Sequence, residues 1–295
     1  MARRLLVTGG NGQLGRTIAK LCEAKGQSAK LSITILDRAQ LDITDKVATA
    51  SVLDNLHPEV IINAAAYTQV DKAESEEDQA YAVNATGAAN LAHWIANNNA
   101  RLIHVSTDFV FNGASSRPYT EDAETAPLGA YGRSKLAGEQ LVHDLLPVGS
   151  AIVRTSWLYS EFGNNFVKTM LRLMSERDQI GVVNDQIGSP TSTHSLAELL
   201  LNMAQTQFKS GIFHWTDGGA ISWYDFALQI QREALHQHLL SKEIPVKAIS
   251  TAEYPTPARR PAFSVLDRRR TLSKFSCSSL TWEAQLANVI AALAK

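Results

Sequence analysis

Arg4-Leu5-Leu6-Val7-Thr8-Gly9-Gly10-Asn11-Gly12-Gln13-Leu14-Gly15 is the stretch on which the fold turns. Arg4 to Thr8 is a short apolar run ended by glycines, the pattern of a parallel strand buried on both faces. Gly12 to Lys25 then places Leu14, Ile18, Leu21 and Cys22 on one helical face. The spacing Gly9-x-x-Gly12-x-x-Gly15 allows a tight turn and brings backbone amides close to a pyrophosphate at the helix N-terminus. Gly15 also allows close packing of helix on strand. Glycines alone also fit a plain strand–helix turn; the strand before them and the helix after them favour a dinucleotide.

Working outward, Ser32–Leu36, Val60–Asn63, Leu102–Ser106 and Ala151–Arg154 are further apolar runs separated by helical patterns. This alternation predicts an α/β fold, a Rossmann-like doubly wound parallel sheet. Asp37-Arg38 ends the second strand, where the adenosine ribose would lie. An acid there favours a free 2′-hydroxyl and an arginine accommodates a 2′-phosphate, so the choice between NADH and NADPH stays open. Leu41 to Asp45 leads into a helix with Thr44 or Asp45 as cap. Ala64-Ala65-Ala66 either lets a cofactor lie against the backbone or serves tight packing. Lys72 to Asn98 is expected as one long helical region, its Glu74, Glu76, Glu77 and Asp78 a solvated face suited to a helix start. Asn84 within it is an ordinary polar helix residue or one that positions a water or Lys135.

The chemistry is carried by Tyr131-Gly132-Arg133-Ser134-Lys135, which opens a helix running to Leu145. Residues four apart share a helical face, so Lys135 is expected beneath Tyr131. A free phenol has a pKa of about 10, and an ammonium beside it is expected to lower that toward the range useful for proton transfer. Ser106-Thr107-Asp108 ends the fourth strand, at the sheet edge where such folds place their ligands. The polar stretch from Phe109 to Ala130 is of a length that is often functional.

The chain has 295 residues, 45% of them hydrophobic, and a net charge of −1. That supports one large core, or a nucleotide domain with an appended lobe, and gives no long-range attraction to nucleic acid or membrane. Cys22 and Cys277 show neither metal nor disulfide spacing, which fits a reducing, cytoplasmic setting. No apolar run is long enough to span a bilayer, and no secretory leader pattern opens the sequence. After Trp157 the spacing changes. Gly163-Asn164-Asn165-Phe166 caps a helix to about Ser175, Ile180–Val183 is a strand, and Ser195–Thr206 and Trp223–Leu239 are helices. Pro245–Asp267 is extended, and a last helix runs from Thr281 to Leu293. Residues 1–156 are expected to form the dinucleotide-binding domain, its sheet completed by later segments. Residues 157–295 are expected to be mainly a smaller substrate-binding lobe, interleaved with it.

Gly9-x-x-Gly12-x-x-Gly15, Thr107 and Tyr131-x-x-x-Lys135 together resemble the extended short-chain dehydrogenase/reductases. Asn63 to Glu74, Ser106 to Gly113, Arg154 to Tyr159, Asp185 to Thr191 and Arg260-Pro261 are similar to one family among them, the dTDP-4-dehydrorhamnose reductases. The resemblance implies reduction of the C4 keto group of a dTDP-sugar with NADPH or NADH. Tyr131 would donate a proton to the C4 oxygen, Lys135 would tune it and hold the nicotinamide ribose, and Thr107 would hydrogen-bond the same oxygen. Gly9, Gly12, Gln13, Leu14 and Gly15 would face the pyrophosphate, Asp37 and Arg38 the adenosine ribose, and Asp42 and Ile43 the adenine. Ala66, Tyr67, Thr68 and Val105 would meet the rest of the dinucleotide. Thr107, Asp108 and Trp157 would contact the sugar. The resemblance allows Mg²⁺ and a monomer or homodimer, with no metal ligands assigned. Related nucleotide-sugar dehydratases place Glu where Phe109 stands; dehydration needs that extra acid, so Phe109 points to simple reduction. The alternatives are reduction or epimerisation of another nucleotide-activated sugar, and a non-catalytic regulatory subunit that retains dinucleotide.

Overall fold

The computed structural model describes residues 2–25, 30–275, 277 and 280–295. In chain order the first half comprises β1 (Arg3–Thr8), α1 (Gln13–Lys25), β2 (Leu31–Leu36), α2 (Lys46–Leu56), β3 (Val60–Asn63), α3 (Glu77–Tyr81), α4 (Ala88–Ala96), β4 (Arg101–Thr107), α5 (Ala130–Leu145) and β5 (Ser150–Thr155). The second half comprises β6 (Leu158–Tyr159), α6 (Phe166–Glu176), β7 (Ile180–Val183), β8 (Ile187–Gly188), β9 (Thr191–Ser192), α7 (Thr193–Gln205), β10 (Gly211–His214), β11 (Ile221–Ser222), α8 (Trp223–His236), β12 (Val246–Ile249), α9 (Arg269–Lys274) and α10 (Trp282–Leu293).

Six strands pair in the order β10-β5-β4-β3-β1-β2, every pair parallel. β1 explains why its residues are apolar without alternation. Leu5 and Val7 join one core layer with Ile18 of α1 and Leu199 of α7, while Leu6 joins the opposite layer with Leu53 of α2 and Leu91 of α4. The chain departs from β1 to β2 on one side and returns to β3 on the other. Such a reversal opens a crevice at the strands' C-terminal ends. Gly9 and Ala64 stand there, after β1 and β3.

The sheet draws on late sequence. β10 pairs with β5 in the register Phe213↔Val153, and α7 lies on α1, joined at the Thr17 and Thr193 hydroxyls 2.6 Å apart. Helices α6, α8 and α10 build a second core in which Met170, Phe226, Ile230, Trp282 and Leu286 are buried together. Three two-stranded pairings, β7 with β12, β8 with β11 and β6 with β9, knit that lobe.

The expected helix from Lys72 to Asn98 is not continuous. A 3₁₀ turn at Lys72–Glu74 precedes α3, and a wide π turn at Ala82–Gly87 separates α3 from α4. The interruption follows from packing: a Cβ on Gly138 of α5 would lie 2.1 Å from the Asn84 carbonyl oxygen, and one on Gly87 would lie 2.7 Å from the Ile43 side chain. Of the two caps considered for α2, Asp45 serves, accepting from the Ala48 amide at 2.9 Å. The extended stretch Pro245–Asp267 contains β12 and a 3₁₀ turn at Thr251–Glu253.

Candidate active site

A cleft of about 1010 Å³ lies over the C-terminal ends of β1, β3, β4 and β5 and is closed on one side by the second lobe. Gly9, Gly12, Gln13, Leu14 and Gly15 line its floor. Gly9 has φ +71°, and a Cβ there would lie 2.8 Å from the Ala64 backbone; a Cβ on Gly15 would lie 2.5 Å from the Gly9 carbonyl oxygen. Both glycines are therefore demanded by backbone packing. Gly12 differs: its Cβ would meet only the Gly9 oxygen at 3.2 Å, so its missing side chain leaves space in the cleft. The opening amides of α1 have no intrahelical partner, and no acidic residue occupies its first turn. That arrangement fits a pyrophosphate. Gln13 ties the turn to the second lobe, its Oε1 accepting from Ser160 Oγ at 3.0 Å and Asn165 Nδ2 at 2.9 Å.

At the outer end, Arg38, Asp42 and Ile43 line the cleft but Asp37 does not. The Asp37 carboxylate accepts from Asn11 Nδ2 at 2.7 Å and from the amides of Ala39 and Gln40 at 2.9 and 3.1 Å. A short acid two residues before a free amide closes its own turn readily, and here that turn takes the group expected to meet the ribose. Arg38 Nε sits 3.1 Å from Asp42 Oδ2. Hydrogen bonds from Thr44, reinforced by Arg38, hold the Asp42 carboxyl below its usual range.

Ala66, Tyr67 and Thr68 form the opposite wall. Asn84 holds that wall. Its Oδ1 accepts from the Tyr67 amide at 2.9 Å, and its Nδ2 donates to the Tyr67 carbonyl at 3.1 Å and to Ser134 Oγ at 3.0 Å. Asn84 thus joins the wall to α5 rather than contacting Lys135. The acidic run at Glu74–Asp78 is mostly exposed but is not only a solvated face. Glu74 accepts from the Ala130 amide at the start of α5 (2.8 Å), Glu76 accepts from the Tyr67 phenol (2.6 Å), and Glu77 pairs with Arg133 (2.9 Å). The loop is also clasped from the C-terminal segment: Arg260 forks onto Asp71 at 3.0 and 2.9 Å, holding its carboxyl below the usual range.

Thr107, Asp108, Tyr131 and Lys135 meet at the centre of the cleft. The Thr107 hydroxyl donates to Asp108 Oδ1 at 3.1 Å and accepts from the Phe109 amide at 3.2 Å. Lys135 is 2% exposed and its Nζ donates to the Val105 carbonyl at 2.7 Å. Burial lowers its ammonium to about 8, opposed by the charge of Glu139 one turn along α5. Glu139 is itself buried against Arg154, with a 2.6 Å contact, and accepts from the Ser106 hydroxyl. The expected lowering of the phenol is not what this arrangement produces. Burial and the charge of Asp108 push Tyr131 up to about 12, with only the Thr107 side chain acting downward. Lys135 lies on the right face but is turned to a carbonyl. Desolvation opposes phenolate more strongly than a cation so committed can offset, so Tyr131 stands as a phenol, the form that donates a proton.

Trp157 lines the cleft with φ +46°, an uncommon backbone for a bulky residue. Its indole stacks on Trp223 with centroids 3.5 Å apart and planes 9° apart, and a Cβ on Gly188 would lie 2.6 Å from the ring. Trp223 and Gly163-Asn164, read from sequence only as helix starts, and Ser264 beside Asp108 were not assigned to the site from sequence. Trp223 opens a helix behind a Ser222/Asp225 capping box, but nothing local says which aromatic it meets. Among the described residues, no three His, Cys, Asp or Glu side chains gather as a metal site, and no helix is long and apolar enough to cross a membrane.

Residues 3–295 match the family model described as the RmlD substrate binding domain. The chain belongs to this family. It is 46% identical over 291 residues to dTDP-4-dehydrorhamnose reductase of Aggregatibacter actinomycetemcomitans, covering 97% of this chain and 98% of that one. It is 44% identical to dTDP-4-keto-6-deoxy-D-glucose reductase of Streptomyces niveus over 227 residues, 77% of each. Among solved structures, dTDP-4-dehydrorhamnose reductase of Bacillus anthracis in complex with NADP superposes with a TM-score of 0.90 at 39% identity, over 98% of this chain and 99% of the other. The RmlD family assignment thus spans both the sheet and the second lobe.

Proposed function

We propose that the protein reduces the C4 keto group of dTDP-4-dehydro-β-L-rhamnose to give dTDP-L-rhamnose, with NADPH as the preferred reductant. The observation that carries the reading is the meeting of Thr107, Tyr131 and Lys135 beside the Gly9–Gly15 turn in one cleft. It is supported by the family and by the relatives' activities. A nicotinamide bound in the cleft supplies the hydride. The residues of this chain do the rest. Gly12, Gln13 and Leu14 offer the helix start to the pyrophosphate. Tyr131, kept as a phenol, gives its proton to the carbonyl oxygen as negative charge develops there. Thr107 donates to the same oxygen, and Lys135 supplies a fixed positive charge close by. Trp157, held by Trp223, presents an apolar face at the sugar end. The segment after Trp157 serves as the substrate lobe. Arg38 lines the cleft while Asp37 is taken up in its own turn, which favours a 2′-phosphate.

The relatedness to a dTDP-4-keto-6-deoxy-D-glucose reductase favours, as second reading, a C4 reduction on the epimeric sugar. The partner in either case is a dTDP-sugar, a small molecule of the cytoplasm, and the working unit is a monomer or homodimer. The test is oxidation of NADPH and NADH with enzymatically prepared dTDP-4-dehydrorhamnose. Rapid oxidation with dTDP-L-rhamnose as product is expected. Oxidation only with the D-gluco keto sugar would move the assignment to the second reading, and none with either would overturn both.

A further inference from the structure

The loop that walls the cofactor side of the cleft is tied to the C-terminal segment at Asp71. Thr68, Gln69 and Val70 line the cleft and Asp71 follows them. Arg260 forks onto this carboxylate, Nη1 donating to Oδ1 at 3.0 Å and Nη2 to Oδ2 at 2.9 Å, and the Ala258 amide donates to Oδ1 at 3.1 Å. Arg260 Nη1 also donates to Thr256 Oγ1 at 2.6 Å and to the Ala258 carbonyl at 3.1 Å. An exposed ion pair contributes little, because water and salt screen it and two long side chains must be ordered. This pair is half-buried, bidentate and braced by its neighbours, the geometry that fixes two segments in register.

From the fork the segment runs on to the sugar end. A Cβ on Gly113 would lie 2.6 Å from the Pro261 side chain, so the segment is seated against the stretch that follows β4. The Ile187 amide donates to the Ala262 carbonyl and the Ser264 amide to the Ile187 carbonyl, both at 2.8 Å, which lays the segment along β8. Gly188, the next residue of β8, stands against the Trp157 ring. Contacts therefore run without a break from Thr68 at the cofactor wall, through Asp71, Arg260 and Ile187, to Trp157.

Resting on the reductase reading, we propose that Arg260 is a positioning residue that couples the two halves of the site, so that bound NADPH tightens the grip on the sugar nucleotide and bound sugar nucleotide tightens the grip on NADPH. A cofactor against Ala66–Thr68 orders the loop as far as Asp71. The fork passes that order to residues 256–264, and these hold β8 against the Trp157 ring. The ordering cost falls on the first ligand and is smaller for the second. Linkage makes the effect equal in both directions. Arg260 touches neither ligand and acts through Asp71 and β8.

The test uses NADPH with dTDP-L-rhamnose. Both are already reduced, so the ternary complex forms without turnover. Calorimetric titration gives the dissociation constant of each ligand with and without saturating amounts of the other. In wild type each is expected to bind about tenfold tighter in the presence of its partner, by the same factor. In Arg260→Gln and in Asp71→Asn, which open the fork from its two ends, the factor should fall below about twofold. The double variant should lose no more than either single one, because the two side chains act as a unit. A merely structural role would weaken each ligand alone and leave the factor in place. That result, or a wild-type factor near one, would overturn the coupling and leave the reductase reading intact. A wild type that binds NADPH but not dTDP-L-rhamnose would overturn the reductase reading, and the coupling with it.

Discussion

Arg38 and Asp37 stand side by side, yet only Arg38 reaches the cleft wall, because Asp37 satisfies the amides of Ala39 and Gln40. Arg38→Ala should therefore weaken NADPH about tenfold, roughly 1.4 kcal/mol, and NADH by less than about twofold, measured by fluorescence titration of each cofactor. Tyr131→Phe keeps the ring and removes the proton. It should lower kcat by about 10²- to 10⁴-fold with the NADPH dissociation constant nearly unchanged. If turnover survives, the donor is another group. Lys135 gives a pH dependence. Burial lowers its pKa to about 8, so the cation present below that pH is lost as pH rises through it, and NADPH affinity should weaken on the alkaline side. At this scale the sequence was informative about residue types, since a turn glycine, a strand-end threonine and a Tyr-x-x-x-Lys pair each carry their chemistry in their spacing. It was uninformative about orientation. Whether Asp37 faces a ribose or its own backbone, and whether Lys135 faces a phenol or a carbonyl, depends on neighbours brought from elsewhere in the chain.

α5 joins the site to the core. Tyr131, Lys135 and Glu139 succeed one another along one face, and Glu139 ends in a buried pair with Arg154 of β5. Glu139→Gln would leave the Arg154 guanidinium buried and uncompensated. Destabilisation of about 3–5 kcal/mol is expected, read by urea unfolding; a midpoint equal to wild type would show that the pair carries little of the packing. The strands and most helices were legible because their apolar periodicity is strong. The segment from Lys72 to Asn98 was not, since its polar and alanine-rich sequence suits one long helix. The widened turn at Ala82–Gly87 is imposed by the approach of Gly138 and by Ile43, contacts that no local pattern records. Likewise Glu74 is an ordinary exposed acid by sequence and a cap for α5 in the fold.

Across the whole molecule, the sheet and the second lobe share one chain that passes between them repeatedly. The core beneath β1 is built from Leu5 and Ile18 at one end of the sequence and from Leu196, Leu200, Phe213 and Trp215 far along it. The parallel sheet could be foreseen from alternating elements, but not its outermost strand, because Gly211-Ile212-Phe213-His214 is short and carries no distinctive pattern. A fragment ending at Ser156 would lack β10 and α7, and it should be insoluble or fail to unfold cooperatively by circular dichroism. A soluble fragment with a sharp melting transition would show that residues 1–156 fold alone. The late arrival of β10 also bears on synthesis. A ribosome that has released β5 has yet to make the strand that covers its edge and the helix that covers α1. For some sixty residues of translation, the nascent protein therefore displays an open strand edge and an apolar groove, the features that chaperones shield and that promote aggregation. Slowed translation between Ser156 and His214 would prolong that exposure, so synonymous codon choice in this interval should affect the yield of native protein more than the same choice after residue 220.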